Sequence, residues 1–260
     1  MLLQPTLDKL MALRLSGMAD QLREQQGQPH YQELSFEERL GLLVDQEWTV
    51  RRERKLRRQV KAARFRETAV LEDLDLAAAR GLDRKLILQL AQGEWIRHQL
   101  NVIVTGPTGV GKTYLACALG RALCGQGISV RYVRTARLLQ ELTLAQANGS
   151  WSKSLDAFAR IQLLILDDWL RDPLKVAQTR ELLELLDDRW QARSTLLVTQ
   201  LPVAEWHQHL GDATLADALL DRLVHHAYKI EMKGESRRKL KARQLLSQAG
   251  ASTPARPEEG

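Results

Sequence analysis

Leu7, Leu10, Met11, Leu15, Met18 and Leu22 recur at three- and four-residue spacing, which predicts one amphipathic helix from Thr6 to Gln25. Gly27 and Pro29 stop it. Ser35 and Glu38 have the spacing of a capping box, which opens a second helix with an apolar stripe of Phe36, Leu40, Leu43, Val44 and Trp48. From Arg51 the stripe thins to Leu56, Val60 and Ala63, and basic residues occupy most other faces. An acidic stretch, Glu72 to Asp75, and a helix around Leu82 to Gln92 follow.

Beyond this point the pattern alternates. Short, mostly apolar runs at Val102–Thr105, Ser129–Val133, Leu163–Leu166, Thr195–Thr199 and Ala227–Glu231 read as strands, with helical patterns between them. Alternating strands and helices predict an α/β fold with a parallel five-stranded sheet flanked by helices. Charge and periodicity both change between Leu71 and Leu82. The expected division is therefore a helical N-terminal domain over 1–75, an α/β domain over 76–249 and a disordered tail over 250–260. No internal repeat is visible.

Composition changes this picture in two places. The net charge is +6, but nine Lys/Arg against Glu53 alone put +8 between Arg51 and Arg66, so the rest of the chain is slightly acidic. The basicity is a patch, and a patch points to a polyanionic partner. The two cysteines, Cys117 and Cys124, lie seven apart, on one side of a helix. That spacing suits neither a redox pair nor a zinc pair, and unpaired thiols suit a reducing, cytoplasmic setting. No apolar window is long enough to span a membrane, and Met1 to Gln4 do not open a signal peptide.

The chemistry is concentrated after the first strand. Gly106-Pro107-Thr108-Gly109-Val110-Gly111-Lys112-Thr113 satisfies the phosphate-loop pattern G-x-x-x-x-G-K-S/T, with a strand before it and a helix from Tyr114 after it. Glycines let backbone N–H groups wrap a phosphate, and the following helix aims its positive dipole end at the same anion. Lys112 is expected on the β- and γ-phosphates of ATP and the Thr113 hydroxyl on Mg²⁺. The run Leu163-Leu164-Ile165-Leu166-Asp167-Asp168 ends a buried strand in two carboxylates at the same sheet edge. Asp167 is the natural Mg²⁺ partner through water, and Asp168 is placed to polarise an attacking water. The second acid favours hydrolysis over the phosphoryl transfer of a small-molecule kinase. Thr199 and Gln200, at the end of the next run, point toward the same phosphate. The paired histidines at 207/209 and 225/226 lack Cys or carboxylate partners at metal spacing.

These motifs, with the stretches QLPVAEWH, TLADALLDRLVHHAY, KGESRRK and the early LMALRLSGMA, resemble the IstB helper ATPases of insertion-sequence transposition. These form a branch of the AAA+ ATPases near the DnaC helicase loader and the DnaA initiator. The resemblance covers nearly the whole chain. It implies a Walker A pair in Lys112 and Thr113, a Walker B residue in Asp167, and a water-orienting acid in Asp168. It further implies sensor 1 at Thr199 or Gln200, an arginine finger acting on a neighbouring subunit in Arg222, and sensor 2 at Arg238, next to Arg237. Activity would then require a homo-oligomer.

Arg51, Arg52, Arg54, Lys55, Arg57, Arg58, Lys61 and Arg64 are expected to lie against duplex phosphates, spanning with Arg66 more than four helical turns. No Asn/Gln pair is poised to read bases, so the binding is expected to be largely sequence-nonspecific. The resemblance adds a cognate transposase as partner. Three rivals share parts of this evidence: a DnaC-like helicase loader, a small-molecule kinase, and an assembly protein that uses ATP only as a ligand.

Overall fold

The computed structural model describes residues 3–76, 81–237 and 239. The chain divides into two compact units that meet between Gln59 and Val60.

In the first unit the predicted Thr6–Gln25 helix is two helices, α1 (Leu3–Ala12) and α2 (Ser16–Gly27). Arg14 turns the chain between them with φ +60°, and the Leu15 N–H closes back onto the Leu10 carbonyl at 2.8 Å. The break has a purpose visible in α3 (Phe36–Ala63). Glu47 of α3 is buried, and its Oε2 accepts the N–H groups of Gly17 and Met18 at 2.7 and 3.2 Å. A carboxylate thus satisfies donors left open at the start of α2, where the helix dipole favours it. Gly17 permits the approach: a Cβ there would stand 2.8 Å from the Glu47 Cα. The capping box opens α3 as expected, with the Ser35 N–H on Glu38 Oε2 at 2.8 Å and the Glu38 N–H on Ser35 Oγ at 3.2 Å.

The expected α3 stripe is not a core face. Phe36, Leu40, Val44 and Trp48 are 65, 40, 52 and 70% exposed. Turning Glu47 toward α2 rolls this four-residue ridge outward and leaves Arg39, Leu43 and Val50 partly covered instead.

The second unit continues with α4 (Arg84–Ala91), α5 (Glu94–Arg97), β1 (Asn101–Thr105), α6 (Lys112–Gly125), β2 (Val130–Arg134), α7 (Thr135–Ala147), α8 (Trp151–Ala159) and β3 (Leu163–Asp167). It then runs through α9 (Val176–Arg189), β4 (Ser194–Val198), α10 (Trp206–His209), α11 (Ala213–Val224) and β5 (Ala227–Glu231). The five strands are parallel, in the order β2-β3-β4-β1-β5. The predicted parallel five-stranded sheet with flanking helices is therefore present, each strand within one residue of its predicted bounds.

The central strand is β4, with the phosphate strand β1 on one side of it and β3 on the other. Every residue of β3 and β4 is buried, as a strand covered on both faces requires, whereas the edge strand β5 leaves Lys229 and Glu231 exposed. Helices α7, α8, α9 and α11 close one face over Leu138, Leu142, Leu166, Leu182, Leu185, Leu197 and Leu219. Each such side chain contributes about 1.5–3 kcal/mol by leaving water. Cys117 and Cys124 are both buried in α6 as unpaired thiols. Burial pushes each thiol up to about 11, consistent with their reading as small apolar packing residues.

Two buried polar residues tie the lower edge of the sheet. Asn101 accepts the Thr195 N–H of β4 at 2.9 Å and donates to the Arg222 carbonyl of α11 at 3.1 Å. Arg189 is 1% exposed and donates to the carbonyls of Phe158 and Ile161 at 2.8 Å each, and to that of Ser194. Burial, with a smaller contribution from Arg193, pulls its guanidinium down to about 9. Carbonyl oxygens rather than a carboxylate satisfy it. The expected tail over 250–260 lies outside the described residues.

Candidate active site

The loop between β1 and α6 has the backbone its glycines were expected to supply. Gly106, Gly109 and Gly111 take φ of +141°, +85° and +105°. At Gly106 a Cβ would sit 2.2 Å from the Met232 carbonyl oxygen, so the position excludes any side chain as well as favouring the angle. The first turn of α6 has no side-chain cap, which leaves its N–H groups for an anion. Lys112 folds over the loop and donates to the carbonyls of Gly106 and Pro107 at 2.7 and 2.9 Å. Burial lowers its pKa, and the charges of Asp167 and Asp168 offset part of that effect. Val110 is buried beneath the loop, and Thr108 donates to Gln200 Oε1 at 2.6 Å.

Asp167 ends β3 beside this loop and is 1% exposed. Its Oδ2 accepts the Thr113 hydroxyl at 2.9 Å and the Tyr132 hydroxyl at 2.6 Å, and its Oδ1 accepts the Asp168 N–H at 2.9 Å. The Thr135 hydroxyl donates to the Asp167 carbonyl at 3.2 Å. Burial first, and then Asp167, raise the Tyr132 phenol, so it stays a donor. Asp168 takes φ +55° and turns its carboxylate into the cleft, with Arg134 Nε at 3.8 Å. Leu170 also has positive φ, +48°, and between them Trp169 is buried edge-on to Trp206 at 5.8 Å.

Gly109, Gly111, Lys112, Thr113, Asp167 and Asp168 line one open cleft of about 860 Å³, together with Tyr114, Arg134, Thr199, Gln200, Arg66, Glu67 and Arg237. The central position of β4 carries Thr199 and Gln200 between the phosphate loop and the acid pair. Of the two, Thr199 is buried and its hydroxyl is engaged, donating to the Trp169 carbonyl at 2.7 Å and accepting the Leu201 N–H at 3.0 Å. Gln200 is exposed and already touches the loop through Thr108. Tyr114 contacts the Val70 backbone through its hydroxyl, with the Val70 N–H donating at 3.4 Å.

Arg222 lies elsewhere, on a separate cavity of about 350 Å³ with His98, Arg189, Trp190 and Arg193. It is ion-paired with Asp187, donates to the Ala218 carbonyl at 2.6 Å and stands over the Trp190 ring at 5.7 Å. Arg238 lies outside the described residues. Arg237 is described: its N–H donates to the Gly109 carbonyl at 2.9 Å, and its guanidinium is 3.5 Å from Asp75.

The basic run is exposed, but it is not one long helix. Arg51, Arg52, Arg54, Lys55, Arg57, Arg58 and Lys61 lie on α3, about three turns, whereas Arg64, at φ +55°, follows the helix end. The left-handed turn at Arg64 breaks the four-turn helix that the sequence predicts. Internal acids meet part of the charge: Arg51 pairs with Glu47 at 2.7 Å and Arg57 with Glu53 at 3.3 Å, while Arg54 donates to Ser16 at 2.6 Å.

Sequence reasoning missed Tyr132, Arg134 and Thr135. The only available signal was that β2 ends in polar residues beside β3, in the register Arg134↔Asp167. His207 stands 3.3 Å from Asp217 and His225 3.6 Å from Asp221, and among the described residues no three or more His, Cys, Asp or Glu side chains gather into a cluster.

The geometry fits ATP with Mg²⁺ on its own terms. The loop presents an uncapped helix start and a lysine ammonium to a phosphate chain, and a hydroxyl and a carboxylate meet at 2.9 Å beside them.

The chain is similar to known proteins named for ATP binding. A protein y4pL of Sinorhizobium fredii (strain NBRC 101917 / NGR234), named as an insertion sequence ATP-binding protein, is 46% identical over 239 residues, covering 92% of this chain and 98% of the relative. The ATP-binding protein of insertion sequence IS1162 of Pseudomonas fluorescens is 49% identical over 203 residues, 78% of this chain and 88% of its own. Among solved structures, DnaI superposes with a TM-score of 0.56 at 22% identity, over 68% of this chain and 94% of its own, a likeness of P-loop AAA+ fold. The model of the family described as IstB-like ATP binding protein matches residues 8–245, and the chain belongs to that family.

Proposed function

We propose that the protein is an ATP-dependent DNA-binding helper of insertion-sequence transposition. It binds ATP with Mg²⁺, assembles on duplex DNA, recruits or stimulates a transposase, and hydrolyses ATP to ADP and phosphate. The observation that carries the reading is the meeting of Thr113 and Asp167 at 2.9 Å directly beside the phosphate loop. Relatives named for insertion sequences support the biological setting.

The roles follow from position. Loop N–H groups and Lys112 hold the phosphates; Lys112 exchanges its two carbonyl partners for phosphate oxygens. Thr113 and Asp167 would hold Mg²⁺, which when bound neutralises charge on the β- and γ-phosphates. Asp168 orients the attacking water, and its turn into the cleft supports this. Gln200 is the better γ-phosphate sensor, because the Thr199 hydroxyl is engaged within the fold. Arg222 is not in the cleft of its own chain, as a residue acting on a neighbour requires; it would leave Asp187 to reach that neighbour's phosphate. The sensor 2 role stays with Arg238, with Arg237 beside the loop as the other candidate. The basic run Arg51–Lys61 with Arg64 supplies a phosphate-binding surface that reads no bases.

Phosphate release with and without duplex DNA tests the catalytic half. Asp168→Asn is expected to lower kcat by about 10²-fold or more. Arg222→Ala is expected to lower it about 10³-fold while ATP affinity is kept. Full activity in both variants would remove the assigned chemistry.

A further inference from the structure

We infer that Tyr132 is the positioning residue for the carboxylate that holds the nucleotide's metal ion. The inference rests on the proposed ATP·Mg²⁺ reading and deepens it. Tyr132 lies on β2, next to β3 in the sheet, and its ring rises from a position paired with Ile165 to reach the strand end at Asp167. The hydroxyl meets Oδ2 at 2.6 Å, the short distance of a charge-assisted O–H···O⁻ bond. The ring is 6% exposed, so the hydroxyl has no bulk water to turn to.

The division of labour on Asp167 singles this bond out. Oδ1 is taken by the N–H of the adjacent Asp168, a contact that any carboxylate at this strand end can make. Oδ2 is shared by Thr113 and Tyr132. The Thr113 hydroxyl is the group expected to turn an oxygen lone pair to the metal while its proton stays on Asp167. Tyr132 is the side-chain donor on Oδ2 whose only task there is to fix the rotamer of the carboxylate. Outer partners of this kind typically change metal affinity 10–100-fold when removed. A buried tyrosine that merely satisfies its own hydroxyl has no such effect on the metal.

The test is the binding of mant-ATP to the full-length protein, in EDTA and across a Mg²⁺ titration. Tyr132→Phe is expected to bind mant-ATP in EDTA as the wild type does. It is expected to need about 10-fold more Mg²⁺ for half of the metal-dependent gain in affinity. In an Asp167→Asn background the same substitution is expected to change nothing further, because its effect passes through that carboxylate. An unchanged Mg²⁺ midpoint overturns the inference. So does an additional loss in the Asp167→Asn background, or a loss of mant-ATP binding in EDTA, which would make Tyr132 a residue of the fold alone. Failure of the wild type to bind mant-ATP at all would instead overturn the ATP reading beneath it.

Discussion

At Gly106 two independent constraints coincide, a φ of +141° and a carbonyl oxygen 2.2 Å from where a Cβ would be. Relief of one does not relieve the other. Gly106→Ala is therefore expected to cost about 1–3 kcal/mol and to weaken ATP binding, because the loop must shift off Met232. Thermal unfolding with and without ATP checks both halves. Arg189 makes the opposite case, a residue that sequence reasoning passes over. Its removal takes a buried donor away from the Phe158, Ile161 and Ser194 carbonyls. Arg189→Met is expected to destabilise the second unit by about 3 kcal/mol or more, read as a lower denaturant midpoint with an unchanged slope. The loop glycines were legible because their motif is contiguous. Arg189, Glu47 and Tyr132 were not, because each has a partner that lies 28 to 35 residues away along the chain.

At the scale of elements, the strands were the most legible part of the sequence. A strand buried on both faces needs an unbroken apolar run, and β1, β3 and β4 each have one. The N-terminal helices were less so. Periodicity continues through Leu13 to Leu15, yet the chain turns there to bring the start of α2 to Glu47. Periodicity also could not say which face of α3 would be covered, since a buried carboxylate rather than the apolar ridge decided its rotation. Gly17→Ala is expected to cost about 1–3 kcal/mol by pushing α2 from α3, measured as faster amide exchange in both helices. A pH effect follows from the same contact. Burial raises the Glu47 pKa, but hydrogen bonds from Arg51, Met18 and Gly17 outweigh it and leave it below the ordinary value of 4.5. A lowered folded-state pKa means stability that is complete above about pH 4.5 and lost as pH falls through the lower, folded value. Glu47→Gln should remove that acid sensitivity from the α2–α3 contact, which amide exchange as a function of pH would show.

The whole molecule sets two kinds of surface on one chain: a nucleotide cleft at the upper edge of the sheet and a basic run along the later half of α3. The second is electrostatic and should respond to salt. DNA affinity is expected to fall steeply between low and physiological ionic strength, whereas ATP affinity in the cleft should change far less. Nucleotide state is proposed to control assembly on DNA. Size-exclusion chromatography with light scattering, using a duplex of roughly 50 bp that spans several helical turns, tests it most directly. ATP, but not ADP, is expected to drive a large DNA-bound oligomer, and Lys112→Ala is expected to prevent it. A protein that stays monomeric and ignores the duplex in every nucleotide state would contradict the account.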